Sequence, residues 1–310
     1  MRAATSADRA ARRHRWDTKY APYAYVAPYF LLFGVFGMFP LLFTIWVSLQ
    51  QRNLLDSDAA SFVGLTNYRQ LLLHDPYFWN AMGNTLSLWL LTTIPQILLA
   101  LGIAQLLNRK VRTRTLFRMG VILPNVTSVA AVTIIFAQLF GRDFGLINWV
   151  LELFGAGHID WQAGTASSHI AIASMVVWRW TGYHALIFLA SMQAIPTSLY
   201  EAATLDGARG SQQFWRITVP LLRPQIIFST IIATTGNMRL LAEPLLFNPG
   251  TAAATGGSDR QFQTAALYLY EQGFSNYDFG YSSAIAVVLA VATVVVAGVG
   301  YLVTKRIQTD

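Results

Sequence analysis

Six long apolar runs alternate with shorter polar stretches along the chain, at about residues 23–49, 84–107, 116–140, 170–194, 225–247 and 279–304. A bilayer core needs about 20 apolar residues per helix, so each run predicts a membrane span. The connection between the fourth and fifth runs, from Ser198 to Pro224, is polar yet rich in helix formers. Ser198 and Glu201 have the spacing of a capping box: the serine oxygen accepts from the Glu201 backbone N–H and the carboxylate reaches back to the Ser198 N–H. A short helix is predicted to follow and to end at Asp206-Gly207, because glycine tolerates positive φ. A second short helix is predicted from near Ser211, carrying Phe214, Trp215 and Ile217 until Pro220 and Pro224 interrupt it. Pro224 suits the first turn of the fifth span. Ala202, Ala203, Gly207 and Ala208 leave room for a close partner.

Composition agrees with a polytopic membrane protein. Hydrophobic residues make up 54% of the chain and charged residues 12%, against about 25% charged in ordinary soluble domains. The first run is too long, and too rich in aromatics and proline, for the apolar core of a cleavable signal peptide. With no cysteine, disulfides, thiolate ligands and cysteine catalysis are excluded.

Charge supplies the orientation through the positive-inside rule. Arg2, Arg9, Arg12, Arg13, Arg15 and Lys19 precede the first run; Arg109, Lys110, Arg112 and Arg114 sit between the second and third, with Arg118 at the start of the third; Arg209, Arg216 and Arg223 lie in the insert; Lys305 and Arg306 follow the last run. Only Arg52, Arg69, Arg142 and Arg260 fall in the opposite loops. Both termini and the insert are therefore expected in the cytoplasm. The net charge of +7 is spread along membrane borders and not interleaved with stacking aromatics, so it points to topology and lipid head groups, not to nucleic acid. The outer loops, about 50–83, 141–169 and 248–278, are too short for a large domain. The first two read as short amphipathic helices, for example over 146–154, and the third carries the turn signals Pro249-Gly250 and Gly256-Gly257.

The spacing of Glu201-Ala202-Ala203, then Gly207, then Ile217 and Pro220 resembles the signature loop of binding-protein-dependent ABC importer permeases. Residues 62–68, 78–85, 145–148 and the run from Gly280 resemble the sugar branch, which includes the maltose permeases. The segments 237–247 and 260–264 look like actinobacterial cellobiose or oligosaccharide permeases. The resemblance spans nearly the whole chain. It implies an all-α membrane protein of six transmembrane helices with the type I ABC importer permease fold: a cytoplasmic tail over 1–22, a permease domain over 23–304 containing a coupling loop at 195–224, and a tail over 305–310. It also implies a multi-pass protein of the bacterial plasma membrane, assembled with a second permease, ATPase subunits and an extracytoplasmic solute-binding protein to import an oligosaccharide. Glu201, Ala202, Ala203, Asp206, Gly207, Ile217 and Pro220 would then meet the ATPase, with Glu201 facing its cleft and Gly207 permitting the bend.

A phosphate-binding P-loop needs Gly-Lys-Ser/Thr. The three lysines, Lys19, Lys110 and Lys305, follow Thr18, Arg109 and Thr304, so this chain lacks that loop. ATP and magnesium are expected on partner subunits. No catalytic constellation or metal-ligand spacing is apparent, and the chain reads as a non-enzyme. Buried charges within spans cost roughly 2.5–3.5 kcal/mol and usually face a protein interior or wet cavity. Trp178, Arg179, Trp180 and Tyr183 in the fourth run, with Asn237, Arg239 and Glu243 in the fifth, are the candidates for a sugar path. The alternative within the membrane is that Arg239 and Glu243, at i and i+4, neutralise each other and the tryptophans form an interfacial belt. His184 reads as a packed histidine. An ion-coupled secondary sugar transporter is the rival function, and a membrane scaffold or sensor a further one; neither explains the Glu201-to-Pro220 spacing.

Overall fold

A computed structural model describes residues 6–53, 55, 60–108, 114–250 and 253–306. Its architecture is helical. Helix α1 (Ser6–Phe33) passes through a π turn (Gly34–Met38) into α2 (Phe39–Ser48) without a break, so helix runs across the junction drawn at residue 22. Pro40 stands two residues after the end of the π turn, behind Phe39. Proline lacks an N–H and its ring collides with the carbonyl four residues back, and a locally widened turn relieves both problems. The Phe39 N–H accordingly bonds to the Gly34 carbonyl, five residues back. The same device recurs where the π turn Phe214–Thr218 precedes Pro220, and the Val219 N–H reaches the Phe214 carbonyl.

Helices α4 (Pro76–Asn108) and α8 (Thr165–Gln193) pack along each other at the centre. Ile97, Ala100, Leu101, Ala104 and Leu107 of α4 meet Ala185, Phe188, Leu189 and Met192 of α8 in one buried cluster. Among the described residues, four stretches of helix are long and apolar enough to cross a bilayer: 20–48, 76–108, 210–237 and 279–302. The third predicted run is broken instead of straight: α5 (Arg114–Val126) and α6 (Val129–Leu139) meet at 92°. Of the expected six spans, the structure therefore gives four, or five with this bent pair. The remaining run is α8, which has the length of a span but a polar middle from Arg179 to His184. Its inward residues are covered by neighbours, so lipid does not dictate their character.

The second half departs from the predicted boundaries. Helices α9 (Thr197–Leu205) and α10 (Gly210–Gln213) form the insert, and the π turn then leads into α11 (Val219–Asn237). The fifth run does not continue to Phe247. It stops at Asn237, and a separate α12 (Ala242–Phe247) packs against α6. Helix α14 (Phe279–Arg306) closes the bundle against α2 and α11.

On the predicted outer side, the first loop holds a two-residue antiparallel ladder, β1 (Gln50–Gln51) with β2 (Ser61–Phe62), and then α3 (Thr66–Leu73). The second holds α7 (Leu146–Leu153), close to expectation, anchored by buried Asn148, whose amide donates to the Arg142 and Ile159 carbonyls at 2.8 and 2.9 Å and accepts from Trp161 Nε1 at 2.9 Å. The third carries α13 (Ala265–Tyr270) and is a built cap, not a bare connector. Gly256 and Gly257 take positive φ, +67° and +96°, and a Cβ at Gly256 would come to 2.5 Å of the Gln263 backbone. Arg260, at φ +55°, forks onto Glu271 at 2.6 and 2.8 Å and lies over the Tyr77 ring at 4.5 Å. Its carbonyl accepts from Asn80 and Asn84 of α4 at 3.0 and 2.9 Å.

Candidate functional site

The insert is assembled from local chain chemistry. Pro196, with φ −59° and ψ 131°, is the N-cap of α9, and no side chain caps it. The predicted Ser198–Glu201 capping box is therefore absent, because the N-cap lies two residues before Ser198 and Ser198 is already inside the helix. At the other end the exit matches expectation. Gly207 has φ +79°, its N–H bonds to the Thr204 carbonyl at 3.0 Å, and the Ala208 N–H bonds to the Ala203 carbonyl at 2.9 Å. That is a Schellman closure, which needs a left-handed residue where glycine is least strained.

Side chains then staple the two short helices to the bundle. Gln213 Nε2 donates to Thr204 Oγ1 at 3.0 Å and to the Ala208 carbonyl at 3.2 Å. The Tyr200 and Thr218 hydroxyls meet at 2.9 Å, and Gln212 Oε1 accepts from the Arg209 N–H at 2.8 Å. The seven predicted residues divide accordingly. Glu201, Ala202, Asp206 and Gly207 are exposed on the outside of the insert, Ala203 is half-buried, and Ile217 and Pro220 sit half-buried in the frame beneath. Beside them lies a groove of about 520 Å³ lined by Gln105 and Asn108 of α4 and by Tyr200, Ser211, Phe214 and Trp215 of the insert.

The polar groups inside the bundle form two clusters. In the first, Arg179 reaches Glu243 of α12 at 3.8 Å and lies over the Trp180 ring at 5.4 Å. Trp180 packs edge-on against Tyr183, with ring centres 6.0 Å apart. Arg179 Nε is buried with no hydrogen-bond partner among the described residues. The predicted Arg239–Glu243 pairing does not form: α11 ends at Asn237, before Arg239, while Glu243 lies on the separate α12, and Arg239 Nε donates to the Thr235 carbonyl at 3.0 Å. In the second cluster, Asn237 donates to Thr93 Oγ1 of α4 at 2.9 Å and lies 3.4 Å from Gln96 Oε1. Trp178 joins neither. It faces Phe136 of α6, ring centres 5.4 Å apart. His184 is buried, as expected.

Sequence reading missed three groups. Thr93 and Gln96 were signalled by Thr92-Thr93 and Gln96 interrupting an apolar run. Asp75 had no such signal. Its Oδ1 caps α4 through the Tyr77 and Phe78 N–H groups at 2.9 and 3.1 Å, while Oδ2 accepts from the Tyr268 hydroxyl at 2.6 Å and from that of Tyr281. Gln263, which donates to Glu271 at 2.7 Å, is the third. Among the described residues no group of His, Cys, Asp and Glu could hold a metal.

Known proteins agree with this architecture. The chain is 34% identical to the arabinooligosaccharides transport system permease of Halalkalibacterium halodurans, over 90% of this chain and 86% of that protein. It is 34% identical to the lactose transport system permease of Rhizobium radiobacter, over 88% and 90%, and 31% identical to the trehalose/maltose transport system permease of Thermococcus litoralis, over 93% and 94%. A chain of the crystal structure of a bacterial alginate ABC transporter, in complex with an alginate pentasaccharide-bound periplasmic protein, superposes with a TM-score of 0.77 over 95% of this chain and 97% of that one, at 21% identity. At that identity the likeness speaks for the fold alone. Residues 96–309 match the sequence profile of the binding-protein-dependent transport system inner membrane components, and with the span-rich helical architecture and these relatives the chain belongs to that family of ABC importer permeases.

Proposed function

We propose that this chain is one of two permease subunits of an ATP-driven carbohydrate importer and that α9, Gly207 and the π turn before Pro220 carry the movement of separate ATPase subunits into the membrane. The observation that carries this reading is the insert itself: an exposed helix with a Schellman end, stapled through Tyr200–Thr218 and Gln213–Thr204 to the base of α11. A push on Glu201, Ala202 or Asp206 is thereby transmitted as a rigid-body displacement. Oligosaccharide, lactose and trehalose/maltose permeases among the relatives support a carbohydrate cargo. ATP and magnesium belong to the ATPases, an extracytoplasmic solute-binding protein delivers the sugar, and both termini lie in the cytoplasm. The Arg179, Trp180, Tyr183 and Glu243 cluster, together with Asn237, supplies aromatic faces and hydrogen-bonding groups of the kind that line a sugar path. Trp178 packs on Phe136 and Arg239 bonds back to the Thr235 carbonyl, so neither joins that cluster.

Gly207 gives the test. No atom lies within 4 Å of where its Cβ would stand, so a larger residue meets no clash and incurs only the cost of a left-handed backbone, about 1–2 kcal/mol. The complex copurified from native membranes is expected to bring an ATPase and a second permease. Within it, Gly207→Leu is expected to leave ATP hydrolysis running while uptake of labelled arabino-oligosaccharide, lactose or trehalose is lost, and Gly207→Asn, better suited to positive φ, is expected to retain more uptake. Normal uptake by the inserted Gly207→Leu complex defeats the coupling role. Isolation as a homodimer without an ATPase defeats the importer.

A further inference from the structure

A groove of about 330 Å³ runs between α5 and α8 and shares no lining residue with the groove beside the insert or with the polar clusters. Its α5 wall is Thr115, Arg118, Met119 and Ile122, which share one helix face by their spacing. Its α8 wall includes Leu186, Ala190 and Gln193. The two helices run in opposite directions, Val121 of α5 lying against Gly182 of α8 while Thr115 and Gln193 line one groove. Thr115, Arg118 and Gln193 therefore gather at one end, and the apolar side chains line the other. Around the groove α5 is apolar on its outside: Leu116, Phe117, Met119 and Leu123 are all more than half exposed. That surface suits hydrocarbon and not water.

Charge selects the occupant. Arg109, Lys110, Arg112, Arg114 and Arg118 cluster within one short stretch, and no acidic residue occurs between Asp75 and Asp143 or within α8. A basic head end continued by an apolar trough between two helices matches a molecule with a phosphate at one end and a hydrocarbon chain at the other. We propose that this groove binds an anionic phospholipid, with the phosphate held by Arg118 beside Thr115 and Gln193 and an acyl chain lying along Met119, Ile122, Leu186 and Ala190. A neutral zwitterionic lipid satisfies the trough but not the excess of positive charge. Free inorganic phosphate satisfies Arg118 but gains nothing from the trough. The leaflet involved is the cytoplasmic one if the proposed orientation holds; the binding itself does not depend on that orientation.

The test uses the intact copurified complex, stripped of native lipid in detergent and titrated with phosphatidylglycerol or phosphatidylcholine under native mass spectrometry. The complex is expected to retain phosphatidylglycerol preferentially. One cationic contact near a charged head group is worth about 1 kcal/mol, so Arg118→Ala is expected to weaken retention about fivefold while Arg118→Lys keeps most of it. Ala190→Phe, at an exposed groove position, fills the trough without touching Arg118 and is expected to lose the lipid equally while the complex stays assembled. Equal retention of the two lipids, or full retention by Arg118→Ala, overturns the proposal. A groove already sealed by another subunit overturns it too, since the complex then takes up no lipid there. If millimolar inorganic phosphate displaces phosphatidylglycerol and Ala190→Phe has no effect, the site is a free-anion site and the lipid assignment fails. Should the orientation alone be wrong, these retentions are unchanged.

Discussion

At the scale of single residues, Arg179 and Glu243 show how tertiary structure reassigns a charge. Both side chains are largely buried, 16% and 9% exposed. Removing one member of such a pair strands the other, at a cost of about 3–5 kcal/mol. Arg179→Ala is therefore expected to lower the thermal stability of the complex sharply, and Arg179→Ala with Glu243→Ala to recover most of it. If the cluster lines the sugar path, uptake stays low in the stable double variant, whereas recovery of uptake marks the pair as structural. His158, outside the membrane, titrates differently from a free histidine. The Arg142 carbonyl first, and the paired Glu152 carboxylate next, raise its pKa above 6.5. A raised folded-state pKa means that whatever this contact contributes is fully present below about pH 6.5 and is lost as pH rises through the higher folded value. In NMR titrations the His158 midpoint is expected above 6.5 and lower in Glu152→Gln; an unchanged midpoint in that variant would show that the carboxylate plays no part.

At the scale of elements, prolines and glycines decide where helices deform and meet. Pro40 and Pro220 each follow a π turn, so helix continues through them where sequence alone reads Pro220 as an interruption. Gly182 has the opposite role. A Cβ there would overlap the Val121 carbonyl, so α5 touches α8 through bare backbone just before the bend into α6. Gly182→Ala is expected to force the helices apart at about 1–3 kcal/mol or more. Gly102→Ala and Gly120→Ala, where nothing lies within 4 Å of the added atom, are expected to be neutral or to stabilise by about 0.5–1 kcal/mol. Thermal unfolding of the three variants checks this, and equal midpoints would disprove the close contact.

Across the whole molecule, Asp75 ties distant segments together: it caps α4 and takes the hydroxyls of Tyr268 on α13 and Tyr281 on α14. Burial first, then the Asp75 hydrogen bond and charge, push the Tyr268 phenol well above its ordinary value of 10.0. It stays a donor at any physiological pH, and by linkage its contribution is constant below about pH 10 and declines only above it. Asp75→Ala loses a helix cap and leaves two buried hydroxyls unpaired, about 3 kcal/mol in all. Tyr268→Phe is expected to cost about 1 kcal/mol and to reduce the loss of stability at alkaline pH. Denaturation of the purified complex between neutral and alkaline pH measures both, and an Asp75→Ala protein as stable as wild type would remove the tie.

The amino-acid sequence by itself determined what is local: which stretches are apolar enough to leave water, that α9 closes at Asp206-Gly207, and that no Gly-Lys-Ser/Thr phosphate loop is present. These follow from composition, charge and backbone preferences over a few neighbouring residues. Only the tertiary structure decided that the third run bends by 92°, that the fifth ends at Asn237, and that Glu243 turns from Arg239 to Arg179. It alone placed Asp75 beside two tyrosines nearly two hundred residues away. Each of these depends on which buried polar group finds which partner. A residue within an apolar run must satisfy its hydrogen bonds inside the protein, and the chain order does not say which helix will lie beside it.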